Sequence, residues 1–402
     1  MRPGASVALV VAAGALGTLG GATVMAALQD APAPASPTPA RAVAPRPRTV
    51  ALRPPAPADP AVLLAWTPDG LDPGLAAALA ADPAVEATSV VAGGLVDLVA
   101  SRRADGTPVD RPARGWAIPL DLVALDPAAH ARLVAVPDRA AVAGLGPGQA
   151  LLGRTSAALR RLGAGGTLTL AGGRTLAVTA VVDDAAIGGA EVAVDRATGA
   201  ALGAGSDRYL LAAYRGDRTA LEARARAALR QDAAVRFRGP GETPFLRNGD
   251  AVLPQAQIKA RFGEFAYRRQ PGGAIAEDPA WQAQNIVAVD LPIVGRVRCH
   301  RAVVGALAGA LHDVQRANLA SLVDPAGFGG CWNPRMTRSG GGLSRHAWGV
   351  AVDLNTGANP TGFASVQDPR LVEVFRRWGL TSGGDWLVPD AGHFEYVAPP
   401  AP

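Results

Sequence analysis

A chain of 402 residues, 49% of them apolar, is long enough for two or three domains with packed cores. Its formal charge of +5 is concentrated at the start: five arginines (Arg2, Arg41, Arg46, Arg48, Arg53) against one acid, Asp30, precede Asp59, which gives that segment +4 and leaves the rest close to neutral. A chain without a dominant basic face is not expected to bind nucleic acid.

In chain order, residues 6–28 carry no charge and are dominated by Ala, Val, Leu and Gly, with Arg2 before them and Asp30 after. That length spans a bilayer and exceeds the usual apolar region of a secretory signal, so 1–30 is expected to be an uncleaved single-pass anchor in the cell membrane. The alternative is a secreted protein released by cleavage after Asp30. With Arg2 held inside, everything downstream lies outside the cytoplasm. Residues 31–61 are rich in Pro and Ala and read as an extended, semi-rigid stalk.

Residues 62–244 change character, with short apolar runs separated by Gly and Asp and with helices rich in Ala and Arg, which predicts an α/β extracytoplasmic domain. TLTLAGGRTLAVTAVVDD, 167–184, alternates at period two across Gly172 and Gly173 and predicts a hairpin. Residues 219–231 predict an exposed helix, and Asp183 and Asp184 read as a polar strand end rather than a cation site. The stretch ALLGRTSAALRRLGAGGTLTLAGGRTLAVTAVVDDAAIGGAEVAVD resembles the extracytoplasmic domain of certain ABC-transporter permeases. Those proteins cross the membrane several times and this sequence has one spanning-length run, so a transport role does not follow.

Residues 245–400 hold both cysteines and four of the five histidines. Val304, Leu307, Leu311 and Val314 recur at helical spacing and predict an amphipathic helix over 302–322, with His312 along it and without a ligand partner. A second helix is predicted from the cap Asp368 and Pro369, burying Leu371, Val374, Phe375 and Trp378 and stopping at Gly379. Cys299 and Cys331, an even pair on the oxidising side of a membrane, predict a disulfide. A bridge closing a loop of about 30 residues contributes a few kcal/mol.

Two short segments carry the chemistry: SRHAWGVAVD, with His346 and Asp353, and GGDWLVPDAGHFE, with Asp390 and His393. His346 and Asp353, seven apart, are separated by about 10 Å along a helix and point to opposite faces of a straight strand. The chain must therefore bend at Gly349 if both are to reach one ion, after which Val350, Val352 and Leu354 predict a strand. Asp390 and His393 fit a turn feeding a second strand.

SRHAWGVAVD matches the SxHxxGxAxD signature of the D-alanyl-D-alanine carboxypeptidase-like zinc metallopeptidases, and PDAGHFE matches their second signature. The family includes vancomycin-resistance carboxypeptidases and phage endolysin peptidases and shares its fold with the Hedgehog signalling domain. The resemblance covers roughly 245–397, including FGEF, CWNPR and GGDW. It implies an α+β domain of helices on a small antiparallel sheet, with His346, Asp353 and His393 as zinc ligands and Asp390 as general base. It further implies an arginine at the scissile carbonyl or substrate carboxylate, for which Arg335 matches best and Arg338 second. Ser344 and Trp386 lie near ligands or substrate, with Trp386 and Asp385 read as structural and Glu395 as supporting a ligand. The implied substrate is the peptidoglycan stem peptide, cut as a carboxypeptidase or as an endopeptidase; the rival reading is an inactive, zinc-containing wall-binding module. No oligomeric state is implied.

Overall fold

The structure is a computed structural model, and it describes residues 61–68, 70–230, 233–240, 242, 253–337 and 341–397. The expected anchor, 1–30, and all but the last residue of the expected stalk, 31–61, lie outside the described residues. Among the described residues no helix is long and apolar enough to cross a membrane.

The first region builds one mixed, largely antiparallel sheet from β1 (Ala61–Trp66), β2 (Val85–Arg102), β3 (Ile118–Leu125), β4 (Gln149–Gly153), β5 (Thr167–Leu170), β6 (Thr175–Val182), β7 (Val192–Asp195), β8 (Asp207–Tyr214) and β9 (Arg236–Arg238). Their order is β3-β7-β4-β6-β5-β2-β8-β1-β9, and β3 also pairs with β2, so six of the strands close on themselves into a ring. Closure removes the edges of those six strands, while β8, β1 and β9 extend the sheet from β2 and leave β9 at its end. Only β3–β7 and β4–β6 are parallel pairs, so the α/β expectation for this region gives way to a predominantly antiparallel sheet. Short helices flank it: α1 (Pro73–Ala81), α2 (Pro127–His130), α3 (Arg139–Ala143), α4 (Arg154–Arg160), α5 (Arg196–Ala201) and α6 (Arg218–Ala227). Leu98, Leu120, Leu152, Leu168, Leu176 and Val192 share one core cluster, the apolar alternates of the ring strands.

The hairpin expected over 167–184 forms, with Leu168 opposite Leu176 and positive φ at Gly172 and Gly173. Asp183 caps the turn after it by accepting from the Ala185 amide, and Asp184 accepts from the Thr155 amide and hydroxyl. The helix expected over 219–231 is shorter and not wholly exposed. It ends at Ala227 and buries Leu221 and Ala225, because a helix of this length is held by one packed face rather than by propensity.

The second region contains α7 (Gln255–Phe262), β10 (Tyr267–Arg269), β11 (Ile275–Glu277), α8 (Pro279–Asn285), β12 (Ile286–Leu291), β13 (Gly295–His300), α9 (Arg301–Arg316), β14 (Ala351–Asp353), α10 (Pro369–Arg377), β15 (Leu380–Gly383) and β16 (Asp390–Tyr396). This is an α+β arrangement. Helix α9 buries Val303, Ala306, Leu307, Ala310, Leu311 and Val314, the stripe of a 3.6-residue period. It stops six residues short of the expected Leu322, since Asn318 turns into positive φ and a separate 3-10 turn, Ala320–Leu322, follows. Asp368 caps α10 as expected, and Leu371, Val374 and Phe375 are buried, each burial worth roughly 1.5–3 kcal/mol. Trp378 is only half-buried: its indole N–H leaves the core to donate to Asp313 at 2.7 Å. Cys299 and Cys331 are bridged.

The two regions have distinct cores yet fall within one compact unit. Between them lies a buried ion cluster. Lys259 of α7 reaches Glu191 at 2.8 Å and Glu264 at 2.9 Å, and Arg160 of α4 reaches Glu264 at 2.6 Å. Glu191 also accepts from Gln255 and from the Asp121 amide, so each charge has several partners. Burial would raise the Glu264 carboxyl, but Lys259 and Arg160 outweigh it and hold it below the usual range. Tyr267 adds a hydroxyl bond to Asp97 at 2.6 Å across the same junction.

Near the disulfide, Glu277 accepts from the Trp332 indole at 3.1 Å, and its second oxygen is buried without a partner among the described residues. Burial pushes this carboxyl up to about 8, against the opposing Trp332 bond and Arg298 charge. The folded chain thus keeps a proton that the unfolded chain loses near 4.5. The associated stability is fully present below that value and is lost as pH rises through about 8. Glu277→Gln mimics the protonated acid and still accepts from Trp332. Urea midpoints at about pH 5 and about pH 9 are expected to fall further in the parent than in this variant; equal declines would show that Glu277 does not titrate on unfolding.

Candidate metal centre

Each donor is placed by a local device. Ser344 caps a one-turn 3-10 helix, Arg345–Trp348, by accepting from the His346 amide at 3.3 Å. The turn ends at Gly349 with φ of 64°, where a Cβ would lie 2.8 Å from the His300 amide nitrogen, so a side chain is excluded by both conformation and space. The expected bend at this glycine is therefore present. The chain then enters β14, whose Val350, Val352 and Leu354 neighbourhood is fully buried. Strand β14 pairs antiparallel with β16 in a register that sets Asp353 directly opposite His393. Cross-strand partners share a face with Cβ atoms about 5 Å apart, and the preceding turn folds His346 back onto the same face.

The result is a triangle of donor atoms. His346 Nε2 lies 3.1 Å from Asp353 Oδ1 and 3.2 Å from His393 Nδ1, and His393 Nδ1 lies 3.0 Å from Asp353 Oδ1. Bonds of about 2.0–2.1 Å in a tetrahedron place neighbouring ligands roughly 3.3 Å apart. Two imidazoles and one carboxylate at this spacing fit a zinc-type ion. Among the described residues this trio is the one group of His, Cys, Asp or Glu that can hold a metal.

The outer faces of the imidazoles are also engaged. His346 Nδ1 lies 2.9 Å from the Cys331 carbonyl, which accepts its proton and leaves Nε2 to face the cluster. The backbone of a bridged cysteine thereby orients a donor. His393 Nε2 lies 3.4 Å from the buried Glu395 carboxylate, and the Trp386 ring packs 5.4 Å from the His393 ring. Burial alone would pull the His393 imidazole down, but the Asp353 and Glu395 carboxylates outweigh it and push it up to about 9. Burial would likewise raise Asp353, yet the hydrogen bonds from His346 and His393 and their charges hold it below the usual carboxylate range.

The remaining sequence candidates are placed as follows. Asp390 opens β16 rather than sitting in a turn before it; its Oδ1 accepts from the Thr361 hydroxyl at 3.0 Å, and it is not in the donor triangle. Arg335 pairs with Ala274, its carbonyl accepts from the Ser344 amide at 3.1 Å, and its guanidinium reaches the Met336 carbonyl at 3.4 Å. The structure thus brings the Arg335 backbone beside Ser344 and does not place its guanidinium among the donors. Arg338 lies outside the described residues. His312 is exposed on α9, apart from the cluster. The roles of the Cys331 carbonyl and the Thr361 hydroxyl were not foreseeable: a backbone acceptor has no residue-type signature, and Thr361 is 29 positions from the acid it meets.

Comparison with known proteins places this geometry. Residues 337–396 match the model of a peptidase family described as D-alanyl-D-alanine carboxypeptidase, and all three donors and Asp390 lie inside that match. Over that C-terminal segment the chain is similar to this peptidase family. No curated protein matches the chain. Among solved structures, the periplasmic region of MacB from Actinobacillus actinomycetemcomitans aligns at 11% identity and a TM-score of 0.30, covering 44% of this chain and 88% of that one. The extracellular domain of the noncanonic ABC-type transporter YknZ from Gram-positive bacteria aligns at 12% identity and a TM-score of 0.28, covering 44% and 99%. Superposition at that level carries neither fold nor function across.

Proposed function

We propose that this chain is a zinc-dependent peptidase that hydrolyses peptidoglycan stem peptides outside the cytoplasm. The observation that carries the reading is the His346–Asp353–His393 triangle, lying within a segment that matches a peptidase family. The disulfide supports an oxidising, extracytoplasmic compartment.

Zinc held by these three residues would supply a Lewis acid and lower the pKa of a water towards 7. Asp390 moves the proton. Thr361 holds one of its oxygens, and the other accepts a proton from the attacking water and returns it to the leaving amine. Glu395 and the Cys331 carbonyl fix the two imidazoles so that their lone pairs converge. Trp386 closes one side of the site over His393 and excludes water there. Ser344 holds the turn that carries His346, while Arg335, tethered beside Ser344, is the candidate to receive the substrate's carbonyl or carboxylate.

Metal analysis of the purified protein and mass spectrometry of defined muropeptides after incubation test the reading together. One zinc per chain and a shortened stem peptide are expected, and the cleaved bond distinguishes carboxypeptidase from endopeptidase. Zinc without cleavage of any muropeptide would replace the enzyme by a wall-binding module; neither zinc nor cleavage would reject the reading outright.

A further inference from the structure

A concavity lies in the first region and shares no residue with the donor triangle. It is a cavity of about 540 Å³ between the end of β2 and the loop 103–117, lined by Arg102, Arg111, Arg114, Trp116, Ser101 and Asp110, among others. Its size is that of a small-molecule site rather than of a flat contact face.

Its charge is one-sided. Arg111 and Arg114 are exposed, and among the described residues their side chains have no hydrogen-bond or ion-pair partner. Arg102 reaches the Gly106 carbonyl, which satisfies a donor without neutralising the charge. The one lining acid, Asp110, is already engaged: it accepts from the Ser101 hydroxyl and lies 3.9 Å from Arg160 behind it. A fourth arginine, Arg268 of β10, stacks over the Trp116 ring with its Cζ 5.4 Å from the centroid. Guanidinium groups are forks of N–H donors matched to carboxylate and phosphate oxygens. Three of them on a concave wall that holds a single acid leave that wall net positive, as a receptor for negative charge requires.

We propose that this pocket binds a small oxyanionic ligand, one presenting clustered carboxylates or phosphates, with Arg111 and Arg114 as the principal contacts. The site is independent of the peptidase reading, and either source of oxyanion uses the same arginines.

Calorimetric titration of the full-length protein with tripolyphosphate and, separately, with tri-glutamate tests it. Binding of at least one probe is expected, weakening as salt is raised; which probe binds tighter identifies phosphate or carboxylate as the ligand group. Arg111→Ala/Arg114→Ala is expected to lower that affinity by about tenfold or more, the loss of one or two charge-assisted hydrogen bonds. Arg174→Ala/Arg377→Ala removes the same charge outside the pocket and is expected to leave affinity within about twofold. Both arginine pairs are exposed, so circular dichroism should show all variants folded. The proposal is overturned if neither probe binds, if the pocket variant binds as the parent does, or if the distant control weakens binding equally.

Discussion

Asp390→Ala should retain about one zinc per chain while turnover falls by about 10²–10⁴-fold, the usual worth of a general acid–base. The expectation follows from where the structure puts this carboxylate. It begins the strand that carries His393 and is bonded to Thr361, outside the triangle of His346, Asp353 and His393. A residue that acts on the water and not on the ion can be removed without emptying the site. His346→Ala should behave differently, losing both metal and activity, since it leaves two donors where three are needed. Metal content and muropeptide turnover, measured on the two variants in parallel, decide the matter. Equal loss of zinc in both would make Asp390 a ligand and displace Asp353 from that role, and full activity in Asp390→Ala would remove it from the chemistry altogether.

Lys259→Met is expected to cost about 3–5 kcal/mol of stability, the penalty for stranding a buried countercharge. Lys259 and Glu191 are both buried, and Lys259 also donates to the Pro119 carbonyl, so the variant leaves Glu191 and Glu264 facing Arg160 alone. The neutralised pair Lys259→Met/Glu191→Gln should be less damaging than the sum of its single variants, because the charge that each single change strands is absent from the other's background. Urea unfolding of the four proteins measures this. Strict additivity would show that the two residues do not act as a pair, and a loss below about 1 kcal/mol for Lys259→Met would show that the cluster does not hold the two regions together.

Much of the candidate site was legible because its parts are local in sequence. The need for a bend between His346 and Asp353 followed from helix and strand geometry alone, and Gly349 supplies it with φ of 64°. The cap at Asp368 and the hairpin at Gly172 and Gly173 were equally local, and the cysteine pair, though 32 positions apart, was legible because the sequence has only two cysteines. Helix ends were less legible. The 302–322 expectation overran because the apolar spacing continues past Asn318, whose left-handed conformation ends the helix. The same blindness to distance affected charge. Arg102, Arg111 and Arg114, near one another in sequence, were averaged into a near-neutral chain, and the fold sets them on one cavity wall and brings the distant Arg268 onto its Trp116.

By itself, then, the sequence determined the donor types, the bend that lets two of them converge, the disulfide partners and the resemblance to a peptidase family. These depend on side-chain chemistry and on spacings of a few residues, which any fold containing them must respect. The tertiary structure alone decided the rest: the strand register that sets Asp353 opposite His393, the Cys331 carbonyl that turns His346 towards the ion site, and the closed ring of strands. It also joined Lys259 to Glu191 across 68 residues of chain. Pairings of that kind are chosen by the whole packed core, since a strand or a buried charge finds its partner through burial and geometry summed over distant segments rather than through any signal in its own neighbourhood.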